Sequence, residues 1–245
     1  MTALVMKNRI KEYLDEIVPN PRCELNYNKD YELLIATMLS AQTTDKRVNK
    51  ITAILFEKFP NLKALSEANI DELIEIVRPL GNYHKKAFNI KNIASSLLDI
   101  GYVPNNREFL ESLSGVGRKT TNVVLSNIYN EPLLAVDTHI ERVAKRLGLA
   151  RSNDSVRIVE DKLTKYFSND DLCRLHHQLL LFGRYHCKAI KPNCDNCKLK
   201  DICKKHWLFS AFFYSNINIK CIYNNFIIDN FNSNFICITI NFSII

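Results

Sequence analysis

The segment from Leu113 to Val124 constrains the fold of this chain more than any other. Its sequence, Leu-Ser-Gly-Val-Gly-Arg-Lys-Thr-Thr-Asn-Val-Val, places two glycines between helical patterns at residues 107–112 and 118–129. Glycine accepts positive φ angles without strain, so Gly115 and Gly117 predict a tight turn. The segment therefore predicts a helix–hairpin–helix whose turn directs backbone N–H groups outward at a helix N-terminus, where a phosphate can bind.

Lys119 is unusual because it lies in the first turn of the second hairpin helix, where the helix dipole disfavours positive charge. A lysine that is pushed towards its neutral form is a nucleophile, which would explain its place. A simpler interpretation is a surface lysine that contacts a phosphate, and this segment alone favours it.

The remaining chain indicates an all-α body. Only 6 glycines and 7 prolines occur among 245 residues, and 47% of the residues are hydrophobic. Further helices are predicted at residues 6–17, 31–40, 46–59, 70–77, 85–98, 138–147, 155–166 and 171–182. Asp45 and Asp137 each precede one of these helices, so each can serve as an N-cap. For Asp137 the cap is the simpler interpretation, although a carboxylate there also stays ionised and can stabilise a developing cation.

Charge and hydropathy narrow the possible partners and locations. The net charge is +7, so an anionic partner such as nucleic acid is plausible. The N-terminal residues 1–16 lack the apolar stretch of a signal peptide, and no span approaches the roughly 20 apolar residues of a membrane helix. We expect a cytoplasmic protein, whose 8 cysteines serve as metal ligands or free thiols rather than disulfides.

Four cysteines near residue 200 form a cluster with the spacing C-x6-C-x2-C-x5-C: Cys187, Cys194, Cys197 and Cys203. An all-sulfur ligand set suits a structural zinc ion or a [4Fe-4S] cluster. Zinc sites usually show two close cysteine pairs, and the single close pair here favours iron–sulfur. Lys188 and Lys191 lie between the first two cysteines and either hold a DNA phosphate or form a solvated loop.

Residues 207–245 differ from the rest, since they are rich in Ile, Asn and Phe and contain only Lys220 and Asp229 as charged residues. We expect a poorly ordered, low-complexity extension with aggregation risk rather than a hydrophobic partner surface. Residues 234–241 alternate weakly, as a strand does.

The hairpin with Lys119, the motif Val136-Asp-Thr-His-Ile140 and the cysteine spacing together resemble the endonuclease III family of DNA glycosylases, over about residues 6–205. Leu39-Ser-Ala-Gln42 adds to this resemblance. The resemblance implies an all-α, two-domain helix-hairpin-helix DNA glycosylase fold with a [4Fe-4S] cluster loop. It places a helical bundle at residues 22–131, with the hairpin at about 105–129. Residues 1–21 and 132–206 then form the iron–sulfur domain, and the tail follows.

The resemblance also implies a reaction. The family excises oxidised pyrimidines and cuts the strand at the abasic site by β-elimination; here Lys119 would form the Schiff base. Asp137 would stabilise positive charge on the sugar or receive the lysine's proton, and both roles stay open. The base must leave the duplex first. Gln42 would fill the resulting gap, and Asn82 stands where the family often has a bulky apolar wedge.

The implied partner is double-stranded DNA with a damaged base or an abasic site, bound by a monomer associated with the nucleoid. The [4Fe-4S] cluster would be structural. The implied DNA contacts are Gln42, Asn82, Gly115, Val116, Gly117, Arg118, Thr120, Lys188 and Lys191.

Three other functions fit part of the pattern. An adenine-specific mismatch glycosylase shares the hairpin, the aspartate and the cysteines but lacks the lysine and usually has an extra C-terminal domain. A non-catalytic DNA-binding module explains the glycines and the charge, and leaves Lys119, Asp137 and Gln42 as coincidences. A zinc-stabilised protein-interaction domain predicts a colourless protein.

Overall fold

The structure, a computed structural model, describes residues 2–168 and 170–204, together with the backbone of residues 222–223 and 226–227. The α-helices in these ranges are α1 Ala3–Ile17, α2 Asp30–Leu39, α3 Asp45–Lys58, α4 Leu62–Glu67, α5 Ile70–Val77, α6 Tyr83–Leu97, α7 Arg107–Ser112, α8 Arg118–Tyr129, α9 Thr138–Leu147, α10 Val156–Tyr166 and α11 Leu172–Leu181. A 3-10 turn, Arg78–Leu80, follows α5, and a π-helical turn, Phe182–His186, continues α11.

The all-α prediction is confirmed for the body of the chain. Two strands of two residues each, β1 Ile222–Tyr223 and β2 Phe226–Ile227, pair antiparallel. The other residues of the predicted poorly ordered tail, including the weak strand pattern at 234–241, lie outside the described residues. None of the helices in the described ranges is long and apolar enough to cross a membrane.

Two local predictions need correction. Helix α4 was not expected, because six residues are too few to show a helical period; it begins where the Asn61 side chain accepts from the Ala64 N–H at 2.8 Å. Asp45 does not cap α3: Thr44 is the N-cap, and Asp45 is the first helical residue. Its carboxylate is held instead by Arg184, at 2.7 Å.

The helices pack into two hydrophobic cores. The first lies between Leu25 and Leu125 and surrounds α2, whose residues from Tyr31 to Leu39 are all buried. Because α2 is buried on every face and not along one stripe only, it forms the centre of its bundle. The second, smaller core combines α1 with residues between Leu134 and Leu199. The division into domains at residues 22–131 and at residues 1–21 with 132–206 stays a prediction.

Polar contacts fix the two cores relative to each other. The Asn122 side chain on α8 donates to the Leu134 carbonyl oxygen at 2.8 Å, and Arg118 on the same helix pairs with Glu160 of α10 at 2.5 Å. These contacts join the hairpin to the second core and leave a cavity between the two cores.

Candidate active site

A cavity of about 200 Å³ lies between the two cores and receives side chains from both. The first core contributes the end of α2 with the loop after it, and the first two turns of α8. The second core contributes the residues before α9 and the middle of α11. The lining residues that matter below are Gln42, Asp45, Lys119, Thr120, Ala135, Asp137, His176, His177 and Arg184. The structure thus brings Gln42, Lys119 and Asp137 to one cavity.

Lys119 is exposed at this cavity, in the first turn of α8. The hairpin turn directs it there. Gly115 has φ +78°, and a Cβ atom at this position would lie 2.1 Å from the side-chain nitrogen of Asn89, so both conformation and space favour glycine. Gly117 has φ −114°, so the expectation of a positive φ there is wrong. Among the described residues, none forms a hydrogen bond or ion pair with the Lys119 amine, which leaves it available to a ligand.

Asp137 caps α9 and faces the same cavity. Its Oδ1 atom accepts from the backbone N–H groups of His139 at 2.9 Å and Ile140 at 2.8 Å. The cap orients the carboxylate, and the N-terminal end of the helix stabilises its negative charge. Asp137 is therefore an N-cap, and the electrostatic role that the sequence left open beside it stays a prediction.

Two histidines on α11, His176 and His177, also line the cavity from the second core, and sequence reasoning missed both. His176 Nδ1 accepts from the Ala135 N–H at 3.3 Å, so the ring proton is on Nε2. Burial, and then the charges of His177 and Lys119, lowers the pKa of His176 to about 3. Burial also lowers the pKa of His177, whose Nε2 lies 3.0 Å from Asn127 Oδ1. The sequence signal that could have identified them is a pair of adjacent histidines in a leucine-rich helix.

Three other lining residues of the cavity, Glu24, Asp45 and Arg184, form an ion-pair network at its rim. The Arg184 guanidinium on the π-helical turn pairs with Glu24 and with Asp45. The Tyr185 hydroxyl donates to the other oxygen of Glu24 at 2.6 Å. This network connects the start of α3 with the second core and gives the rim both signs of charge.

The two loops predicted to enter DNA share an uncommon backbone conformation. Gln42 has φ +59°, and Asn82, the residue before α6, has φ +48°. Asparagine is among the non-glycine residues most tolerant of this left-handed region, whereas a bulky apolar residue is strained there. The departure from an apolar wedge at position 82 therefore matches the backbone. Both side chains are exposed, and Gln42 also lines the cavity.

The other hairpin residues differ in which backbone or side-chain groups are available to a phosphate. Val116 is 5% exposed, so it can contribute only through its backbone, while Gly115 and Gly117 are exposed. The Arg118 guanidinium is already bound by Glu160, through Nε at 3.0 Å and Nη2 at 2.5 Å. Thr120 lines the cavity. Direct DNA contacts by these residues stay a prediction.

The four cysteines of the C-x6-C-x2-C-x5-C segment line a second cavity beside α9, together with Arg146 and Lys200. The negative charges of the other three cysteines contribute, after burial, to raising the pKa of Cys197, which reflects how close the four sulfurs lie. Among the described residues, no group of three or more His, Cys, Asp or Glu side chains is arranged to hold a single metal ion. The sulfur-only lining fits both metal centres that the sequence left open, a zinc ion and a [4Fe-4S] cluster, and the identity of the metal centre stays a prediction.

Two arginines of α9 tie the cysteine segment to the helix that Asp137 caps. Arg142 donates to the carbonyl oxygens of Cys187 at 3.1 Å and Gly183 at 2.6 Å. Arg146 donates to the Cys187 sulfur at 3.2 Å and to the Lys188 carbonyl oxygen at 2.7 Å. Lys188 and Lys191 are exposed on this segment, and Lys191 has φ +50°.

Comparisons with known proteins agree with this geometry. Residues 35–169 match the model of the HhH-GPD superfamily of base excision DNA repair proteins. The chain is 46% identical over 193 residues to endonuclease III of Haemophilus influenzae, covering 78% of this chain and 91% of that protein. It is 41% identical over 194 residues to endonuclease III of Bacillus subtilis, covering 78% and 89%.

A solved structure is also similar. The chain superimposes on a trapped covalent intermediate between endonuclease III and DNA with a TM-score of 0.80 and 42% identity, covering 86% of this chain and 99% of that one. The chain therefore spans nearly the whole length of its relatives.

Proposed function

The chain belongs to the endonuclease III family of the HhH-GPD superfamily, and we propose that Lys119 and Asp137 carry out its reaction. The protein is a DNA glycosylase of base excision repair with lyase activity at abasic sites. The observation that carries the residue assignment is the cavity between the cores, where the lining includes the capping aspartate of α9 and a lysine from α8 that has no partner among the described residues.

The lysine acts as the nucleophile. The Lys119 amine attacks C1′ of the damaged nucleotide, and the bond between C1′ and the base breaks, so that the base leaves with the bonding electrons. Asp137 stabilises positive charge on the sugar, or accepts the proton that the amine loses. The sugar ring opens to give a Schiff base between Lys119 and C1′. Loss of a proton from C2′ then expels the 3′ phosphate by β-elimination.

The substrate that we propose is a duplex with an oxidised pyrimidine, as the resemblance to the endonuclease III family implies; a similar endonuclease III is described in covalent complex with DNA. The cavity of about 200 Å³ accepts a base only after it has left the stack. Gln42, which lines the cavity, and Asn82 would occupy the emptied position. An exposed Lys188, an exposed Lys191 and the hairpin backbone add phosphate contacts. We expect a monomer that acts on chromosomal DNA in the cytoplasm.

The four cysteines would hold a [4Fe-4S] cluster. Their sulfur-only donor set, their common cavity and the Arg146 donor at 3.2 Å from the Cys187 sulfur all fit a negatively charged cluster. When bound, the cluster supplies a cross-link that fixes the Lys188–Lys191 segment against α9, and the reaction steps belong to Lys119 and Asp137.

Borohydride trapping tests the proposal. Wild type and Lys119→Ala are mixed with a duplex that contains one abasic site or one oxidised thymine, in the presence of sodium borohydride. We expect a covalent protein–DNA band with both duplexes for wild type, and a loss of at least about 1,000-fold for Lys119→Ala, because the Schiff base cannot form. The control is Lys63→Ala, which removes an exposed lysine of α4 that does not line the cavity.

Folded wild-type protein that binds the abasic duplex and gives no band would refute the lysine mechanism. In that case, the lysine-independent adenine mismatch glycosylase is tested next with mismatched duplexes. A band with the abasic duplex alone would leave the lyase intact and reject oxidised thymine as a substrate.

A further inference from the structure

Lys86 is a buried lysine on α6 that the reaction does not use. Its side chain is 5% exposed, and its ammonium donates to the carbonyl oxygens of Ala41 and Leu80, both at 3.0 Å. Among the described residues, no carboxylate pairs with it. A buried charge without a counter-charge is costly, and burial lowers the pKa of Lys86 accordingly. The hydrogen bonds to the two carbonyl groups offset only part of this cost, because neither partner carries a counter-charge.

The two carbonyl groups belong to the two loops that carry Gln42 and Asn82. Ala41 directly precedes Gln42, and Leu80 precedes the Gly81–Asn82 turn. Gln42, Gly81 and Asn82 all have positive φ angles, at +59°, +69° and +48°. Such conformations in non-glycine residues persist only where the surrounding structure holds them. Lys86 contacts both loops at once, and so joins segments that are distant in sequence.

We propose that Lys86 is a positioning residue that fixes the distance between the Gln42 loop and the Asn82 turn, so that both side chains enter the DNA stack in register. This inference rests on the proposed function, which assigns DNA insertion to these two residues. The ammonium suits this role because three donors on one nitrogen can bind two carbonyl groups of different loops. A misplacement of about 1 Å at a reacting site can lower the rate about 100-fold.

Helix α6 also offers a matched control. Lys91 donates to the Ala68 carbonyl oxygen at 2.8 Å, in the connection between α4 and α5. The chemistry is the same, a lysine of α6 that binds a backbone carbonyl of a loop, but this loop lines none of the cavity between the cores. Lys91→Met therefore reports what the loss of such a contact does to the fold alone.

The test compares Lys86→Met and Lys91→Met with wild type in three assays. The first is excision of oxidised thymine from a duplex. The second is borohydride trapping on a single-stranded abasic oligonucleotide, which has no stack to enter. The third is the fluorescence of 2-aminopurine placed opposite a stable abasic analogue in a duplex, which rises when the base is unstacked. Thermal melting checks that each variant is folded.

We expect Lys86→Met to lower kcat/KM on the duplex about 10- to 100-fold and to reduce the 2-aminopurine signal, while single-strand trapping stays within about twofold of wild type. Lys91→Met should match wild type in all three assays. If Lys86→Met does not fold, Lys86→Gln is measured in the same way.

Equal losses on duplex and single strand would overturn the proposal, because the effect would then be on the cavity and not on insertion. The proposal would also be overturned if folded Lys86→Met excised oxidised thymine from the duplex at the wild-type rate. It would be overturned as well if Lys91→Met lost as much activity as Lys86→Met. A failure of the proposed function is distinguishable, since it would appear as the absence of a trapped band in wild type itself.

Discussion

The two walls of the cavity are built by different means. The wall with Lys119 belongs to the larger core, where α2, buried from Tyr31 to Leu39, supports the hairpin and the loops. The wall with Asp137 belongs to the smaller core, and side chains hold its backbone: the Asp137 cap, the His176 acceptor for the Ala135 N–H and the Arg142 and Arg146 donors to the cysteine segment.

On the wall with Lys119, a substitution can therefore affect the reaction without affecting stability. On the wall with Asp137, substitutions affect stability as well. Lys119 has no partner among the described residues, so its removal should affect the reaction alone. Asp137, His176 and the cysteines each hold structure, so changes there should alter stability as well. The following predictions test how far the second wall depends on these side chains.

The largest effect on stability is expected from loss of the cluster. Cys197→Ser removes one of four ligands, and we expect a colourless protein with little iron and a melting temperature lower by roughly 10 °C, which corresponds to several kcal/mol for a chain of this size. Hydrogen exchange should rise between residues 134 and 199 and stay low between residues 25 and 125, where the larger core lies.

Cys173→Ser is the matched control, because Cys173 lies outside the cysteine cavity and donates to the Ser126 carbonyl oxygen at 3.3 Å. It should keep the melting temperature of wild type and the yellow-brown colour that we expect of an iron–sulfur protein. Zinc in place of iron in freshly purified wild type, or exchange that rises equally in both cores, would contradict the prediction.

Two substitutions of Asp137 should separate the effect of its negative charge from the effect of its N-cap. Asparagine is as good an N-cap as aspartate, so we expect Asp137→Asn to stay within about 0.5 kcal/mol of wild-type stability and Asp137→Ala to lose about 1 kcal/mol. Both variants lack the negative charge and should lose about 100- to 1,000-fold in single-turnover excision. Denaturant unfolding and single-turnover kinetics measure the two effects. If Asp137→Asn retained wild-type excision, the aspartate would be a cap only.

The smallest effect is expected from His176 and depends on pH. The unfolded ring takes up a proton near pH 6.5, but in the folded protein the pKa is lowered to about 3. The unfolded state therefore binds more protons in this interval, and stability falls as the pH falls, by up to about 1.4 kcal/mol per pH unit from this group. His176→Asn keeps an acceptor for the Ala135 N–H but does not titrate, so its unfolding free energy should depend less steeply on pH.

Unfolding in urea between pH 7 and pH 5 measures this slope. If the unfolding free energies of wild type and His176→Asn depended equally on pH, His176 would be solvated or charged in the folded protein. The activity at pH 7 serves as the control for an intact cavity.

Much of the fold followed from local sequence. The hairpin helices were predicted with their observed ends, and ten of the helices were recognised, because helical period and breakers act over a few residues. Helix α4 and the ion pair of Asp45 with Arg184 were not predicted. The first is shorter than two turns, and the second joins residues that meet only when α3 packs against the π-helical turn.

The sequence by itself determined which residues can do chemistry: a lysine after a glycine turn, an aspartate before a helix and four cysteines in one segment. Tertiary structure decided what surrounds them. It joined α8 and α9 at one cavity, placed His176 in the lining of that cavity and brought Lys86 beneath the Gln42 and Asn82 loops. The physical reason is that capping and turn formation act between neighbours in the chain, whereas burial and shared hydrogen bonds depend on segments that meet only after packing.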